Sequence, residues 1–398
     1  MTNPPPLRGI RVLDLSRVLA GPFCSMTLAD LGAEVIKVEM PGTGDDTRAY
    51  PPYIGKQSSY FMSANRGKKS VTLDLKTKDG QEVLHRLAAK CDVVIENFRP
   101  GVTSRLAADY ETLSKINSRL IYCSISSFGQ TGPYSEKPGY DLIIQGMGGL
   151  MGITGEPGGP PVRIGVAITD LGSGMWATIA ILAALQARAR DGKGQYLDIS
   201  MMDGSVAWMT YVAGNYFATG KSPPKMGSAH PSIVPYQGFV TSDGKSILLG
   251  GGNDRLFVSL CEGLGMPELP KDPQYAGNEN RVKNRVALIP LLEKRFKEKP
   301  RDEWIRILEA LGVPVAPVYS IDEIFADEQV LHRGLQIDVP HPELGKVKQI
   351  APAIRMSETP CVVELPPPLL GEHTDEVLKS IAGYTDAEIK TLRDKKTI

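Results

Sequence analysis

Residues 11–40 read as a strand, a helix and a strand, and the glycine-rich turn that usually joins the first two is missing. Arg11-Val-Leu-Asp-Leu-Ser16 is rich in β-formers. Pro22 to Leu31 carries Phe23, Met26 and Leu28 at helical spacing, and Ala33-Glu-Val-Ile-Lys-Val-Glu-Met40 alternates as a half-buried strand does. This opening βαβ unit commits the chain to a nucleotide-binding-like α/β fold. Such folds hold a dinucleotide by placing G-x-G-x-x-G at the first turn, where backbone N–H groups meet the pyrophosphate. Here the turn is Ser16-Arg-Val-Leu-Ala-Gly-Pro22. One Gly and one Pro do not make that cradle, which argues against an NAD or FAD site.

Alternation continues through strands at 69–75, 92–98, 120–125 and 195–200, with helices at 79–91, 139–150 and 170–190. Strands separated by helices predict a mostly parallel sheet covered on both faces. The character changes at Lys221-Ser-Pro-Pro-Lys-Met-Gly227. Short strands at 237–241 and 246–249, the cluster Gly250-Gly251-Gly252 and helical patterns at 253–264, 281–298 and 301–311 then predict a smaller α+β domain. The expected organisation is a large domain over 1–220, a small one over 221–334 and a return to the large domain over 335–398, in keeping with a length of 398 residues.

The 45 basic and 45 acidic residues cancel, which disfavours duplex nucleic acid or an anionic membrane as a bulk partner. Five scattered cysteines without a C-x-x-C pair fit a reducing, cytoplasmic setting. Five histidines without ligand spacing predict no metal. Met-Thr-Asn-Pro-Pro-Pro has neither the basic nor the apolar region of a secretory signal. The apolar stretch Met175 to Ala187 is too short to span a bilayer and reads as a core helix.

Four features could carry chemistry. Asp170 precedes a long apolar helix, so it reads as an N-cap and equally as a carboxylate kept ionised by the helix start, able to act as a nucleophile. Arg66, Lys68, Lys69, Lys76 and Lys78 lie on either side of one short strand, and Arg99 and Arg105 flank the next helix. They form either a solvated rim or a set of phosphate contacts at the carboxyl edge of the sheet. Gly250 to Gly252 permit either a turn or a flap over a substrate. His230-Pro-Ser-Ile-Val-Pro-Tyr236 reads as a rigid turn bearing a His and a Tyr. There is no G-x-S-x-G, P-loop or H-E-x-x-H motif.

The sequence resembles the class III CoA-transferases, the family of formyl-CoA transferase and carnitine CoA-transferase. The likeness is carried by Val12-Leu-Asp-Leu-Ser-Arg-Val-Leu-Ala-Gly-Pro22, Leu31-Gly-Ala-Glu-Val-Ile-Lys-Val-Glu39, Gly44-Asp-Asp-Thr-Arg48, Asn65-Arg-Gly-Lys-Lys-Ser70, Glu96-Asn-Phe98, Gly129-Gln-Thr-Gly-Pro133, Gly139-Tyr-Asp141 and Pro367-Pro-Leu-Leu-Gly-Glu-His373. It covers nearly the whole chain. The resemblance implies transfer of CoA from an acyl-CoA to a free carboxylic acid, with Asp170 attacking the thioester and carrying an aspartyl-CoA intermediate. It implies an interlocked homodimer and no tightly bound cofactor, CoA entering as a thioester substrate.

By the same resemblance, Ala20, Leu73, Lys76, Asn97, Phe98, Arg105 and Lys137 match CoA contacts, and Tyr60 and Tyr140 match substrate-site tyrosines. Gly250, Gly251 and Gly252 match a loop that covers the site. Leu19 and Met40 depart from formyl-CoA transferase, which has Gln and Arg there. The segments Gly227 to Tyr236 and Gly312 to Pro317 look most like enzymes that use succinyl-CoA with glutarate or a related dicarboxylate. Such an acid needs a cation for its distal carboxylate, for which Arg48 and Arg17 are candidates. The alternative on the same scaffold is a 2-methylacyl-CoA racemase or epimerase. That branch has a His base where this chain has Tyr140, and an unperturbed phenol, with a pKa of about 10, is a poor base at neutral pH.

Overall fold

The computed structural model describes residues 3–398; Met1 and Thr2 of the opening segment lie outside the described residues. The chain forms two compact units. The first comprises residues up to 150 together with 163–213 and 331–398, and the second comprises 151–162 and 214–330.

The first unit is built on six parallel strands: β1 (Arg11–Asp14), β2 (Glu34–Glu39), β3 (Lys68–Thr72), β4 (Val93–Glu96), β5 (Ile121–Ser126) and β6 (Tyr196–Ser200). Their spatial order is β3-β2-β1-β4-β5-β6. The chain builds outward from β1 in one direction, then returns to its other side through β4. In register, Val12 lies beside Val35 and Val93, and Asp14 lies beside Lys37. Glu34–Glu39 is buried on both faces and not half-buried as its alternation suggested, because helices cover both sides of the sheet. Leu13, Ile36, Val71 and Val94 pack with Val83, Leu84 and Leu87 of helix α2 (Lys78–Ala88) and with Val377, Leu378 and Leu392 from the C-terminal segment. Val12, Val35, Val93 and Ile121 pack on the opposite face, with Cys24 and Leu28 of helix α1 (Ala20–Asp30) and with Ala177 and Ile181.

Two further helices matter for the site: α3 (Asp141–Met147) and α4 (Ile168–Asp191). Helix α4 is long and apolar enough to cross a membrane by length and composition, but it packs on α1 and on β5 and β6 as the central helix of this unit. Gly174 makes the close approach possible, because a Cβ there would lie 2.7 Å from the Ala20 carbonyl. The β3 edge is closed by the returning C-terminal segment, in which Leu365 accepts from Gly67 N and Thr374 Oγ1 accepts from Thr72 N.

The second unit is an antiparallel sheet of Tyr236–Val240, Ser246–Gly250 and Val315–Pro317, covered by helices Asp254–Gly263, Arg285–Phe296 and Arg301–Ala310. Phe239, Ile247, Phe257, Leu260 and Trp304 form its core. Its boundaries differ from the sequence reading at three points: its main stretch begins at 214 and not 221, it ends at 330 and not 334, and it takes in a separate stretch. The excursion 151–162 belongs with it, held where Gly227 N donates to the Gly155 carbonyl at 2.9 Å and the Lys225 ammonium donates to that of Gly159.

Candidate active site

The sheet order reverses beside β1, with β1 and β4 diverging into loops at their carboxyl ends. Ligands of open α/β sheets bind in such a crevice. Two adjoining cavities lie there, both in the first unit. One, of about 330 Å³, is walled by the turn at Val18–Ala20, by Asn97 and Phe98, by Lys137–Tyr140 and by Asp170. The other, of about 630 Å³, is walled by Met40, Leu73, Leu75, Lys76, Phe98 and Arg105. Arg17, Asp46 and Phe98 line both. The structure therefore gathers Ala20, Asn97, Phe98, Lys137, Tyr140 and Asp170 around one cavity and Leu73, Lys76 and Arg105 around the next.

Asp170 does not cap its helix. Helix α4 begins at Ile168, with Ala167 at the capping position and no side-chain cap, so Asp170 sits in the first turn. A helix start favours a carboxylate there, yet burial and then the charge of Asp141 push the Asp170 carboxyl up to about 7. The expectation of a carboxylate simply kept ionised is thereby corrected: near neutrality the group divides between its two forms. Asp141, at the start of α3, accepts from Thr169 N at 2.9 Å, from Thr169 Oγ1 at 2.8 Å and from Gln145 Nε2 at 2.7 Å. It thus fixes the first turn of α4, and Asp170 with it. Tyr60 senses the same charge, since burial and then Asp170 raise its phenol to about 12.

Several predicted roles change. Arg48 lines neither cavity: its Nε and Nη2 make paired bonds of 2.7 Å to the Glu39 carboxylate, and its guanidinium stacks 3.6 Å from the Phe61 ring centroid. Its cation is thus already paired within the fold. The basic rim also divides. Arg66 is buried in a two-pronged pair with Asp30 at 2.6 and 2.9 Å. Lys68 is buried against Asp14 at 3.1 Å, and Lys69 bridges Glu34 and Glu376. Lys78 turns to Gln81 at 3.4 Å. Lys76 and Arg105 line the larger cavity, and among the described residues neither has a carboxylate partner. Arg99 and Lys137 line the smaller one, with the Lys137 ammonium 3.8 Å from the Tyr134 ring centroid.

Gly250 to Gly252 lie in the second unit and are tied there. Gly250 N donates to the Pro314 carbonyl at 2.9 Å, and the Gly252 carbonyl accepts from Arg281 Nη2 at 2.8 Å. Gly251 and Gly252 are buried, and packing demands glycine at Gly252, where a Cβ would meet Ile233, but not at Gly250, where the nearest atom would be 3.5 Å away. The His230–Tyr236 segment is likewise a pinned turn, with Arg285 Nη2 donating to the carbonyls of His230 and Pro231.

Sequence reasoning missed the charge network behind the cavities. Lys37, Asp45, Asp14 and Lys68 are fully buried, with Lys37 Nζ 2.9 Å from Asp45. Burial opposes ionisation of Asp14, but Lys68, Lys37 and the hydroxyls of Ser16 and Ser25 outweigh it and hold its carboxyl below the usual range. The available signal was a charge within each apolar run, Asp14 at the end of β1 and Lys37 inside β2, side by side in register.

The fold and the site define a family. The chain matches the profile of CoA-transferase family III over residues 7–374 and belongs to that family; it is a CoA-transferase. Among named relatives it is 47% identical over 388 residues to the succinyl-CoA:glutarate CoA-transferase of Mus musculus, covering 97% of this chain and 89% of that protein. It is 43% identical over 384 residues to the succinate–glutarate CoA-transferase of Agrobacterium fabrum, covering 95% and 96% of the two chains. Among solved structures, a CaiB/BaiF family protein from Brucella suis superposes with a TM-score of 0.86 at 45% identity, over 95% of this chain and 100% of that one.

Proposed function

We propose that the enzyme transfers CoA from succinyl-CoA to glutarate through intermediates on Asp170. The observation that carries this reading is one half-buried carboxylate on the wall of a cavity that adjoins a second, cation-lined cavity. The names of the relatives at 43–47% identity support the choice of donor and acceptor.

The larger cavity would take the adenosine end of CoA between Leu73 and Phe98, with Lys76 and Arg105 offered to phosphate. The thioester end would reach Asp170 in the smaller one. The ionised Asp170 carboxylate attacks the thioester carbonyl, the C–S bond breaks, and the CoA thiolate leaves an acyl–aspartyl anhydride. The thiolate then attacks the aspartyl carbonyl, releasing succinate and forming an aspartyl-CoA thioester. Glutarate attacks that thioester in turn, and the expelled thiolate attacks the resulting mixed anhydride at its glutaryl carbonyl. Glutaryl-CoA forms and Asp170 is regenerated. Each step exchanges one activated acyl group for another, so the thioester energy is retained. Partial burial keeps water from competing for the anhydride.

We read the active species as a cytoplasmic homodimer. Supporting this, Met175 and Ile179 of α4 and Leu142 of α3 are each more than half exposed, at 55, 54 and 51%. Of the five cysteines, all unpaired, four are buried. The test is incubation with succinyl-CoA followed by hydroxylamine and peptide mapping. A hydroxamate at Asp170, absent from an inactive Asp170→Ala variant, is expected. An active Asp170→Ala variant would overturn the proposal.

A further inference from the structure

We infer that Asn97 and Asp45 are positioning residues, which together hold the turn Ser16–Leu19 in the one conformation that presents Arg17 to both cavities. This rests on the reading of those cavities as the CoA site.

The turn leaves β1 at the crevice, and its backbone is unusual. Val18 has φ +67°, the left-handed region that a β-branched residue occupies only when its surroundings enforce it. The enforcing contacts are visible. Asp14 accepts from Ser16 N at 2.9 Å, and Lys37 Nζ donates to the Ser16 carbonyl at 2.9 Å. Asn97 Oδ1 accepts from Arg17 N at 2.8 Å while its Nδ2 donates to the Arg17 carbonyl at 2.7 Å. Both carboxylate oxygens of Asp45 lie 3.3 Å from Val18 N. Side chains from other elements thus grip successive peptide groups of the turn.

Asn97 lines the smaller cavity, and Asp45 lines neither. The Asn97 amide engages its oxygen and one N–H with the Arg17 peptide, so it supports that neighbour whatever CoA contact the resemblance expects of it. Asp45 is completely buried and also accepts from Thr47 N and Thr47 Oγ1. What the clamp delivers is Arg17. Its guanidinium lies 5.7 Å from the Phe98 ring centroid, its carboxylate neighbour Asp46 is 4.0 Å away, and it lines both cavities. A cation at that junction fits the diphosphate of a CoA that spans them, because a guanidinium pairs with phosphate oxygens through several donors at once.

The test reads KM for succinyl-CoA against kcat. Asn97→Ala is expected to raise KM about 10-fold, as loss of one well-aimed charge-assisted contact does, while kcat at saturation stays within about 3-fold. Adding Val18→Gly makes the left-handed turn permissible without the clamp, so the double variant should recover most of that KM. Adding Asn97→Ala to Arg17→Ala should change KM little further, because the clamp works through Arg17. An unchanged KM in a folded Asn97→Ala variant overturns the inference, and so does a raised KM that Val18→Gly fails to lower. Should Asn97→Ala not fold, Asp45→Asn in the same scheme gives the same decision. If Lys76→Ala and Arg105→Ala also leave KM unchanged, the assignment of the CoA site has failed; if they raise it and Asn97→Ala does not, the clamp alone has failed.

Discussion

Asp170 is the nucleophile of the proposed mechanism, and its position creates a burden for that role. Asp170 must be ionised to attack, yet burial and Asp141 hold its carboxyl up to about 7. The same desolvation that discourages ionisation makes the ionised form a stronger nucleophile. The ratio kcat/KM should therefore rise with pH through about 7 and level off above it. Asp141→Asn removes the charge contribution, so the apparent midpoint should move to lower pH; a profile that stays in place would show that burial alone sets it. Arg48 makes the complementary case. Its pairing with Glu39 is almost entirely buried, so Arg48→Ala should cost about 3–5 kcal/mol in unfolding experiments by stranding Glu39. The KM for glutarate should not change, because Arg48 lines neither cavity. Arg48 and Arg17 were indistinguishable in the sequence, since both follow a strand of the opening unit. Only the tertiary partner, Glu39 for one and open space across two cavities for the other, separates a structural arginine from a ligand-facing one.

At the scale of elements, the strands were legible because short β-branched, apolar runs bounded by helices have one physical cause, a parallel sheet buried on both faces. The helices were legible where their apolar spacing was complete, as in α2. The start of α4 was not: Ile168 and Thr169 enter the helix ahead of Asp170 because Asp141, 28 positions earlier, binds Thr169. A capping residue was sought next to the helix, and the stabilising carboxylate lies on another one. The glycine loop shows a similar limit. Three glycines after a strand are compatible with motion or with crowding, and the structure shows crowding at Gly252. A Cβ on Gly252 would stand 1.9 Å from Ile233 Cγ2. Gly252→Ala should therefore lower the stability of the second unit by about 1–3 kcal/mol, an overpacking cost. Hydrogen exchange should accelerate in Ser246–Gly250 and around Arg281, and a variant with unaltered exchange there would remove the packing explanation.

Across the whole molecule, charge is distributed unequally between the two units, and that predicts how stability follows pH. The buried carboxylates among the described residues, Asp14, Asp30, Glu39, Asp45, Glu96 and Asp141, all belong to the first unit. They pull in opposite directions. Burial raises Glu96 to about 7 against the hydrogen bonds from Ser124 and Phe98 N, and Asp170 stands at about 7 as well. Unfolded, these two ionise near 4.5 and 3.8. Between those values and about 7 the folded unit holds protons that the unfolded chain has released, so lowering the pH across that window stabilises it. Burial also opposes the ionisation of Glu39 and Asp45, but Arg48 for the one and Lys37 for both prevail, and with Asp14 they titrate below the usual range. These groups contribute stability above their unfolded values that is lost as pH falls below about 4. The first unit should thus be more stable on the acid side of neutrality, at a pH of about 5, than at a pH of about 8. Asp170→Asn should flatten the upper limb, because it removes one of the groups that cause it, Asp30 being raised by burial as well. The second unit buries none of these carboxylates, so its hydrogen exchange, corrected for the chemical rate, should stay level over the same window. A first unit whose stability peaks above neutrality, or a second unit that tracks it, would break the assignment of pH sensitivity to the charges behind the active site.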